Sequence, residues 1–538
     1  MNPQPPVTNM RMESSPSSGP ETALAVFPSW TDRMADLKER AATVDWVPWA
    51  ILGLAAFLRF LLLGMKPPHF DEGINGWFVD QMVKNGFYRY DPTNYHGPLH
   101  FYVLFLSETL LGRNIWALRL PVVIISTFCV FLTMKFEPFV GRNVSRLAAL
   151  AMAISPGFVF YGRYSIHEIW LQCFSMFFIL GLLGLWRRGT PGYLWCLVMG
   201  FAGMVLTKET YIIHVGCAVL AMLVTGVSHR LNRVPNIRPV RQLWSYLDLL
   251  MAVAVGAALI IFFYSGTFFN WPGVKGLFQT FQTWFKTGSN GNGHEKVWWY
   301  WFELIGRYEL AIVFGLLFAL YTPFIKNISL RFLAVYGVGC LAAYSIVHYK
   351  TPWCIIAFIW PILFVFGAVL LIVPVRYRLA TNISLGLILW ASLINSIRLN
   401  YFRCSSFEEP YVYVQTYNDI FKLTKPLLTL AKEDPTTYQL VGHLIRTSTY
   451  PFPWILGDFT KVGYYEAGNM PNDVDGAFLI VQQDKIAEVE SKMHESYFTD
   501  FLTIRPYQDT SKLYLNAKVF AKLFPGRTAE FTGKPATP

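Results

Sequence analysis

Carboxylates and bases recur in this sequence beside the ends of long apolar runs. The first group is His69-Phe70-Asp71-Glu72-Gly73, and the second is Asn94-Tyr95-His96-Gly97-Pro98-Leu99-His100. Ionisable groups at membrane depth are costly and usually mark a functional cavity. We therefore expect these segments to contribute to one site, together with residues of the same kinds further along the chain, namely Arg163, Glu168, Lys208, Glu209 and Lys350.

These residue types suit the transfer of a sugar from a phosphate-bearing lipid carrier. Such a transfer needs a carboxylate that deprotonates or orients the acceptor hydroxyl, a role for Asp71 or Glu72. It also needs cations or hydrogen-bond donors that stabilise the leaving phosphate as its negative charge develops. The candidate cations are Lys350, Arg163 and Lys208.

Each candidate also has a purely structural interpretation. Asp71 and Glu72 follow two prolines and could form a turn and a helix cap. His96 and His100 could bind substrate, join the acids around a divalent metal, or only hydrogen-bond the backbone.

The lysines have equally simple alternatives. Lys208 beside Glu209 could be a local ion pair at the end of a span. Lys350 could be a residue whose charged head snorkels toward the membrane surface. The recurrence of acids and bases at four separate connections favours the functional interpretation.

Composition indicates a protein that lies mostly in lipid. Of its 538 residues, 54% are hydrophobic and 15% are charged, whereas soluble domains carry about 25% charged residues. Apolar runs such as 46–63, 247–263 and 353–373 approach or exceed the roughly 20 residues that cross a bilayer core. The net charge of +11 lies largely in short loops, as membrane orientation requires, and does not indicate nucleic-acid binding. The seven cysteines show neither a disulfide framework nor zinc-site spacing.

Charge placement predicts the topology. We expect eleven spans, and we expect the stretch 98–111 to be an interfacial helix because it is short and contains Glu108. With a cytoplasmic N-terminus, every arginine-rich short loop then falls on the inner side. The outer side receives the long loop 64–114, the candidate site and the chain after residue 398. The predicted spans start near residues 46, 115, 147, 169, 192, 211, 246, 302, 331, 353 and 380.

Three regions follow from this pattern. Residues 1–45 are predicted to be a disordered or amphipathic cytoplasmic tail, and residues 46–398 an all-α transmembrane domain. Residues 399–538 are predicted to be a small extracytoplasmic α/β domain, with strands near 438–444, 476–482 and 501–504 and a helix near 485–494. We expect the aromatic segment Tyr450-Pro451-Phe452-Pro453-Trp454 to have a packing role.

The order of short motifs resembles that of the GT-C membrane glycosyltransferases. HFDEG and YHGPLHFY in the first outer loop are followed by WALRLP, then by GRYSIHE and by KTPW before a late span. The nearest branches are the protein O-mannosyltransferases and the aminoarabinose transferases. With SFEEPYVYVQTY after the last span, the sequence is most similar to the flippase-activity-associated branch, over roughly residues 46–420.

The resemblance implies an inverting glycosyltransferase of the cell (inner or plasma) membrane that uses a polyprenyl-phosphate sugar and an unidentified acceptor. It implies that Asp71 is the first-loop catalytic aspartate, with Glu72 beside it. Glu168 takes the second acidic position, which is commonly Asp, and Lys350 matches a basic residue near the carrier phosphate. No cofactor is required on this interpretation, although a divalent metal is compatible with it.

Two other functions remain open at this point. A transporter or flippase for lipid-linked sugars would also place charges in the membrane, but near its midplane and within inverted repeats. An accessory subunit of an envelope-assembly complex would leave Asp71, Glu72 and Glu168 outside any shared cavity.

Overall fold

The computed structural model describes residues 45–94, 96–231, 242–290, 293–466 and 469–534. Residues 48–538 form one compact unit. The predicted N-terminal tail therefore lies outside the described residues, except for its last position. The same is true of Arg233, Arg238 and Arg241 in one predicted inner loop.

Helices make up most of the described chain and confirm the predicted all-α character before residue 399. Their bounds are α1 Val47–Phe60, α2 Phe70–Asn85, α3 Leu99–Leu111, α4 Ile115–Met134, α5 Glu137–Val140, α6 Arg142–Ile154, α7 Pro156–Tyr161, α8 Glu168–Arg187, α9 Pro191–Val205, α10 Tyr211–Leu231, α11 Tyr246–Tyr264, α12 Pro272–Asn290, α13 Tyr300–Tyr308, α14 Leu310–Ala319, α15 Ile328–Ile346, α16 Ile355–Gly367, α17 Val369–Ile372 and α18 Arg378–Ile397.

Seven helical segments in the described part of the chain are long and apolar enough to cross a membrane. Four further apolar helices, α1, α3, α9 and α14, have 10–17 residues. At 13 residues, α3 would rise about 20 Å, which is less than a bilayer core of about 30 Å. The seven segments are 115–140, 168–187, 211–228, 246–264, 328–346, 352–372 and 375–402.

Two of the predicted spans, those near 147 and 302, are interrupted in the structure. Ser155 separates α6 from α7, where Pro156 has no amide hydrogen with which to continue the α6 ladder, and Glu309 separates α13 from α14. The Glu309 carboxylate accepts hydrogen bonds from Ser155 Oγ at 2.6 Å and from the Gly157 amide at 2.7 Å. One buried acid at the second interruption therefore satisfies two polar groups at the first, which a continuous apolar sequence does not reveal.

The centre of the helical region is α16. All of its residues from Ile355 to Gly367 are buried, because this helix is apolar around its whole circumference. It packs against α6, α8, α14 and α15.

The C-terminal region is a mixed α/β structure built on one six-stranded sheet. Its elements are α19 Phe421–Glu433, β1 Gly442–Ile445, α20 Phe452–Ile455, β2 Val462–Tyr465, β3 Phe478–Gln482, α21 Ile486–Glu490, β4 Ser496–Leu502, β5 Ser511–Asn516, α22 Ala517–Phe520 and β6 Phe531–Thr532. The strand order is β2-β1-β3-β5-β4-β6; the pairs of β1 with β2 and β3 are parallel, and the other pairs are antiparallel. The predicted fold class is thus confirmed for this region as well.

Candidate active site

A cavity of about 500 Å³ opens where the ends of several helices meet the C-terminal region. Its walls come from the start of α2, the start of α8, the connection between α9 and α10, and the segment before α16. Of the predicted site residues, Asp71, His96, Glu168 and Lys208 line this cavity. Its size falls within the usual range for small-molecule sites, about 300–1,000 Å³.

A capping box fixes the start of α2. His69 is the N-cap: its Nδ1 accepts the Asp71 amide at 3.1 Å, and its Nε2 donates to the Tyr413 carbonyl at 2.8 Å. Burial lowers the pKa of His69, so the neutral ring acts here as a hydrogen-bonding cap. The arrangement leaves the Asp71 side chain 30% exposed at the cavity.

Glu72 points away from the cavity and into a buried ion pair. Arg119 donates to both of its carboxylate oxygens, at 2.8 and 2.7 Å, and both side chains are fully buried. The amides of His69 and Ser165 also donate to this carboxylate, at 2.8 and 2.9 Å. Burial alone would raise the pKa of Glu72, but the Arg119 guanidinium outweighs it and holds the pKa at about 2.

Arg119 extends this anchor to the start of the first outer loop. Its guanidinium donates to the carbonyls of Leu63, Lys66 and Pro67. The motif WALRLP, through Arg119, therefore holds the loop that carries HFDEG. As a result, the neighbouring residues Asp71 and Glu72 have different surroundings. Asp71 faces the cavity, while Glu72 ties the loop to α4 and to the segment before α8.

Backbone pairing explains why His96 and Lys208 lie together. These two residues form an antiparallel bridge, the Gly97 amide donates to the Thr207 carbonyl at 2.9 Å, and the Leu99 amide donates to the Leu206 carbonyl at 3.1 Å. A side chain at Gly97 would collide with the Leu206 backbone. Glycine in the motif YHGPLH is thus what lets the two strands of chain approach.

Another part of the cavity lining is a buried ion pair. Lys208 Nζ donates to Glu168 at the first residue of α8, and the Cys354 thiol lies 3.6 Å from the same carboxylate oxygen. Glu168 and Lys208 are both buried at the cavity wall. Glu209 turns the other way and lies 3.4 Å from His96 Nδ1, outside the lining of this cavity.

The histidines differ in what they can do. His100 is fully buried, with Nδ1 accepting from Trp170 Nε1 at 3.0 Å and Nε2 next to Ser165 Oγ at 3.0 Å. Both ring nitrogens are engaged, which leaves no lone pair for a metal. His167 lines the cavity, and its buried Nε2 has no hydrogen-bond partner among the described residues. No cluster of three potential metal ligands occurs in the described ranges.

Arg163 and Lys350 do not line the cavity. Arg163 donates to the carbonyls of Leu58, Leu61 and Leu62 at the end of α1. Lys350 Nζ donates to the carbonyls of Lys296 and Val347. Both cations satisfy backbone carbonyls in the structure, whereas the sequence placed them near the carrier phosphate.

Replacing Arg163 by Met is therefore expected to lower the stability of the protein without changing the residues that line the cavity. The loss should be about 2 kcal/mol, because charged hydrogen bonds to the carbonyls after α1 disappear. Thermal unfolding in detergent measures the stability. Arg142→Met is the control, since Arg142 is exposed and pairs only with exposed Glu137. An unfolding temperature of the Arg163 variant as high as that of the native protein would contradict the structural role.

Several lining residues were not selected from the sequence. His294 Nδ1 and the Tyr413 hydroxyl are 2.8 Å apart, and both residues line the cavity. Tyr413 lies in the motif SFEEPYVYVQTY. The position of this motif after the last predicted span was the signal in the sequence that could have identified Tyr413 as a site residue. Arg505 and its neighbours up to Gln508 come from the C-terminal sheet, and no sequence pattern connects them with Asp71.

Known proteins resemble this chain in part of its sequence and in its fold. Residues 95–261 match the family model described as dolichyl-phosphate-mannose-protein mannosyltransferase. The chain is similar in structure to ArnT from Cupriavidus metallidurans bound to undecaprenyl phosphate, with a TM-score of 0.58 and 13% identity over 86% of this chain and 97% of that chain. ArnT from the same organism in the apo state gives a TM-score of 0.57 and 13% identity, over 91% and 99% of the two chains. None of the curated proteins compared with the chain matches it significantly.

The match extends over nearly the whole length of ArnT, so the helical region and the C-terminal sheet together correspond to one known architecture. The predicted resemblance to the GT-C glycosyltransferases is thereby confirmed: this chain has the fold of ArnT, with the mannosyltransferase family model matching inside it.

Proposed function

We propose that this protein is a membrane glycosyltransferase that transfers a sugar from a polyprenyl-phosphate carrier to a hydroxyl acceptor. One observation carries the proposal: the partly exposed Asp71 carboxylate and the buried Glu168–Lys208 pair line one cavity. The family model and the shared fold with a structure that binds undecaprenyl phosphate support the class of donor.

The proposed chemistry is a single displacement at the anomeric carbon. The acceptor oxygen forms a bond to that carbon while its proton passes to Asp71. The bond between the anomeric carbon and the phosphate oxygen breaks, and its electron pair leaves with the polyprenyl phosphate. Attack opposite the leaving group inverts the configuration of the sugar.

The Glu168–Lys208 pair is assigned to the sugar. Its two partners neutralise each other, so the wall offers a carboxylate acceptor and an ammonium donor without net charge. Such paired groups suit sugar hydroxyls, which both donate and accept hydrogen bonds. Because Cys354 lies against the same carboxylate, the pair is held by three different segments of the chain.

The position of the cavity supports an extracytoplasmic site. Glu168 begins α8 at the cavity, and Arg187 ends the same helix about 30 Å away along its axis. The segment 352–372 likewise starts beside the cavity and is followed by Arg376 and Arg378. Cationic loops at the ends of spans usually face the cytoplasm, and this tendency supports a cavity on the extracytoplasmic side. Its place at helix ends also argues against a transporter, whose sites lie near the midplane.

A transfer assay tests the proposal. Purified protein in proteoliposomes is given polyprenyl-phosphate sugars labelled in the sugar, with a cell-envelope extract as the source of acceptor. We expect label to leave the lipid phase and free polyprenyl phosphate to accumulate in equal amount. Failure to consume any of a panel of polyprenyl-phosphate hexoses and pentoses would refute the proposal.

In the same assay, Glu168→Gln is expected to lower kcat/KM about 100-fold. The change removes a charged contact to the substrate and breaks the pair with Lys208, which together correspond to about 2.7 kcal/mol. The double variant Glu168→Gln with Lys208→Met removes the unpaired charge and should recover thermal stability without recovering turnover. Turnover at the native rate in the single variant would show that Glu168 has no part in the reaction.

A further inference from the structure

The connection between β4 and β5 is part of the cavity. Residues 503–510 join these antiparallel strands, and Arg505, Pro506, Tyr507 and Gln508 all line the same space as Asp71. Tyr507 is 98% exposed and has a positive φ of 63°. A bulky residue in this backbone conformation is uncommon and persists only where the surrounding structure determines it.

This connection is held on both sides. The Tyr417 amide donates to the Ile504 carbonyl at 2.7 Å. Arg446 donates to Gln508 Oε1 at 2.9 Å and to Ser511 Oγ at 3.1 Å. The loop is therefore fixed to its own sheet before any ligand binds.

The Arg505 guanidinium has a defined place within this loop. One of its nitrogens donates to Ser448 Oγ at 3.0 Å, and its central carbon lies 3.7 Å from the centre of the Phe70 ring. Phe70 directly precedes Asp71, so the stacked guanidinium sits beside the proposed catalytic carboxylate and interacts with it electrostatically. Cation–π contacts of this kind orient arginine while leaving its other donors available.

Charge balance distinguishes Arg505 from Lys208. Lys208 is neutralised by Glu168, whereas Arg505 has no carboxylate within salt-bridge distance in the described part of the chain. Among the described lining residues, Arg505 is thus the permanent cation that is not consumed by an ion pair. An oriented, unpaired guanidinium in a cavity is a binding group for an anion, and its planar fork matches the oxygens of a phosphate.

We propose that Arg505 binds the phosphate of the polyprenyl carrier, so that the C-terminal region forms part of the donor site. This inference rests on the proposed function. When the bond to the anomeric carbon breaks, the electron pair moves onto the phosphate oxygen, and the phosphate charge grows from −1 toward −2. The fixed guanidinium stabilises that added charge.

Binding of undecaprenyl phosphate and of uncharged undecaprenol to the full-length protein in nanodiscs tests the assignment. Tryptophan fluorescence is the readout, since Trp353 lines the cavity. Arg505→Met keeps the stem over Phe70 and should weaken undecaprenyl phosphate binding at least tenfold, with undecaprenol unaffected. The affinity of Arg505→Lys for undecaprenyl phosphate should lie between those of the native protein and of Arg505→Met. Lys518→Ala removes an 80% exposed cation of the same region and should bind as the native protein does.

The possible results separate the two proposals. Native affinity for undecaprenyl phosphate in both Arg505 variants would overturn the assignment, even if transfer by the native protein is observed. So would an effect confined to the Michaelis constant of the acceptor, which would place an acceptor anion at Arg505. Inorganic phosphate that competes as strongly as the lipid would show a free-phosphate site and also contradict the assignment. Absence of transfer by the native protein refutes the proposed function, whatever the binding results.

Discussion

Asp71→Asn is expected to insert and fold normally and to lose turnover by about 10²–10⁴-fold. Asparagine has the same shape but takes no proton, so the acceptor hydroxyl loses its base. The fold should persist, since within ion-pair distance the Asp71 side chain contacts only His69 Nδ1, at 3.9 Å, in the described part of the chain. The loss of a favourable charge at the start of α2 costs only about 0.3–1 kcal/mol. The measurement is the transfer rate at saturating donor, beside a thermal unfolding curve.

Asp80→Asn is the matched control for this variant. Asp80 lies on the same helix but pairs with Arg113 at 2.8 Å and does not line the cavity. Its replacement should leave turnover unchanged. An Asp71 variant that transfers sugar at the native rate would remove Asp71 from the mechanism, and equal losses in both variants would indicate a general effect on α2.

Glu72→Gln is expected to destabilise the protein by about 3–5 kcal/mol, because it leaves the Arg119 charge buried without its partner. Arg119→Met should destabilise the protein by a similar amount, because it leaves the Glu72 carboxylate buried without its cationic partner. The double variant Glu72→Gln with Arg119→Met leaves no unpaired charge and should recover part of the loss. Chemical or thermal unfolding of the four proteins in one detergent gives the coupling energy. Additive losses in the double variant would contradict the buried pair.

The same pair has a pH signature. The folded-state pKa of Glu72, about 2, lies below its ordinary value of 4.5, so the stabilisation is complete above pH 4.5 and is lost as the pH falls toward 2. The Glu72→Gln variant should therefore lose stability less steeply than the native protein across this interval. Equal slopes would show that Glu72 does not contribute to the acid transition.

Sequence patterns anticipated the membrane fold and a large part of the cavity. Apolar length and arginine placement located the ends of the spans, and that was sufficient to bring Asp71, Glu168 and Lys208 to one place. The physical reason is that spans of similar length cross the same bilayer, so residues at their ends on one side lie near the same membrane surface. In the C-terminal region the predicted strands 438–444, 476–482 and 501–504 overlap β1, β3 and the end of β4, whereas β2, β5 and β6 were not predicted.

Side-chain direction was beyond these patterns. Lys350 and Arg163 lie at helix ends as expected, but their donors are taken by carbonyls left free where helices stop. Asp71 and Glu72 are neighbours in the sequence. The position of Arg119 determines that Glu72 enters the buried ion pair and that Asp71 faces the cavity. The interruptions at Ser155 and Glu309 also depend on a contact between distant segments.

Arg505 shows the strongest limit of sequence analysis. Its place depends on the packing of the C-terminal region against α2, where added side chains at Gly73 and Gly76 would clash with Pro451 and Trp454. Local composition identified Pro451 and Trp454 as packing residues, but it could not indicate which helix they contact. The position of the loop 503–510 at the cavity depends on this packing of the C-terminal region against α2.

The walls of the cavity run from Phe70 to Gln508 in chain order. During synthesis, all membrane helices can therefore be inserted while the cavity still lacks one side. On the proposed function, a lipid-linked sugar that reaches such a nascent chain would meet Asp71 without Arg505 beside it. Competence for transfer would then begin only after the last strands have emerged from the ribosome and folded, which makes completion of the polypeptide itself a checkpoint on consumption of the carrier.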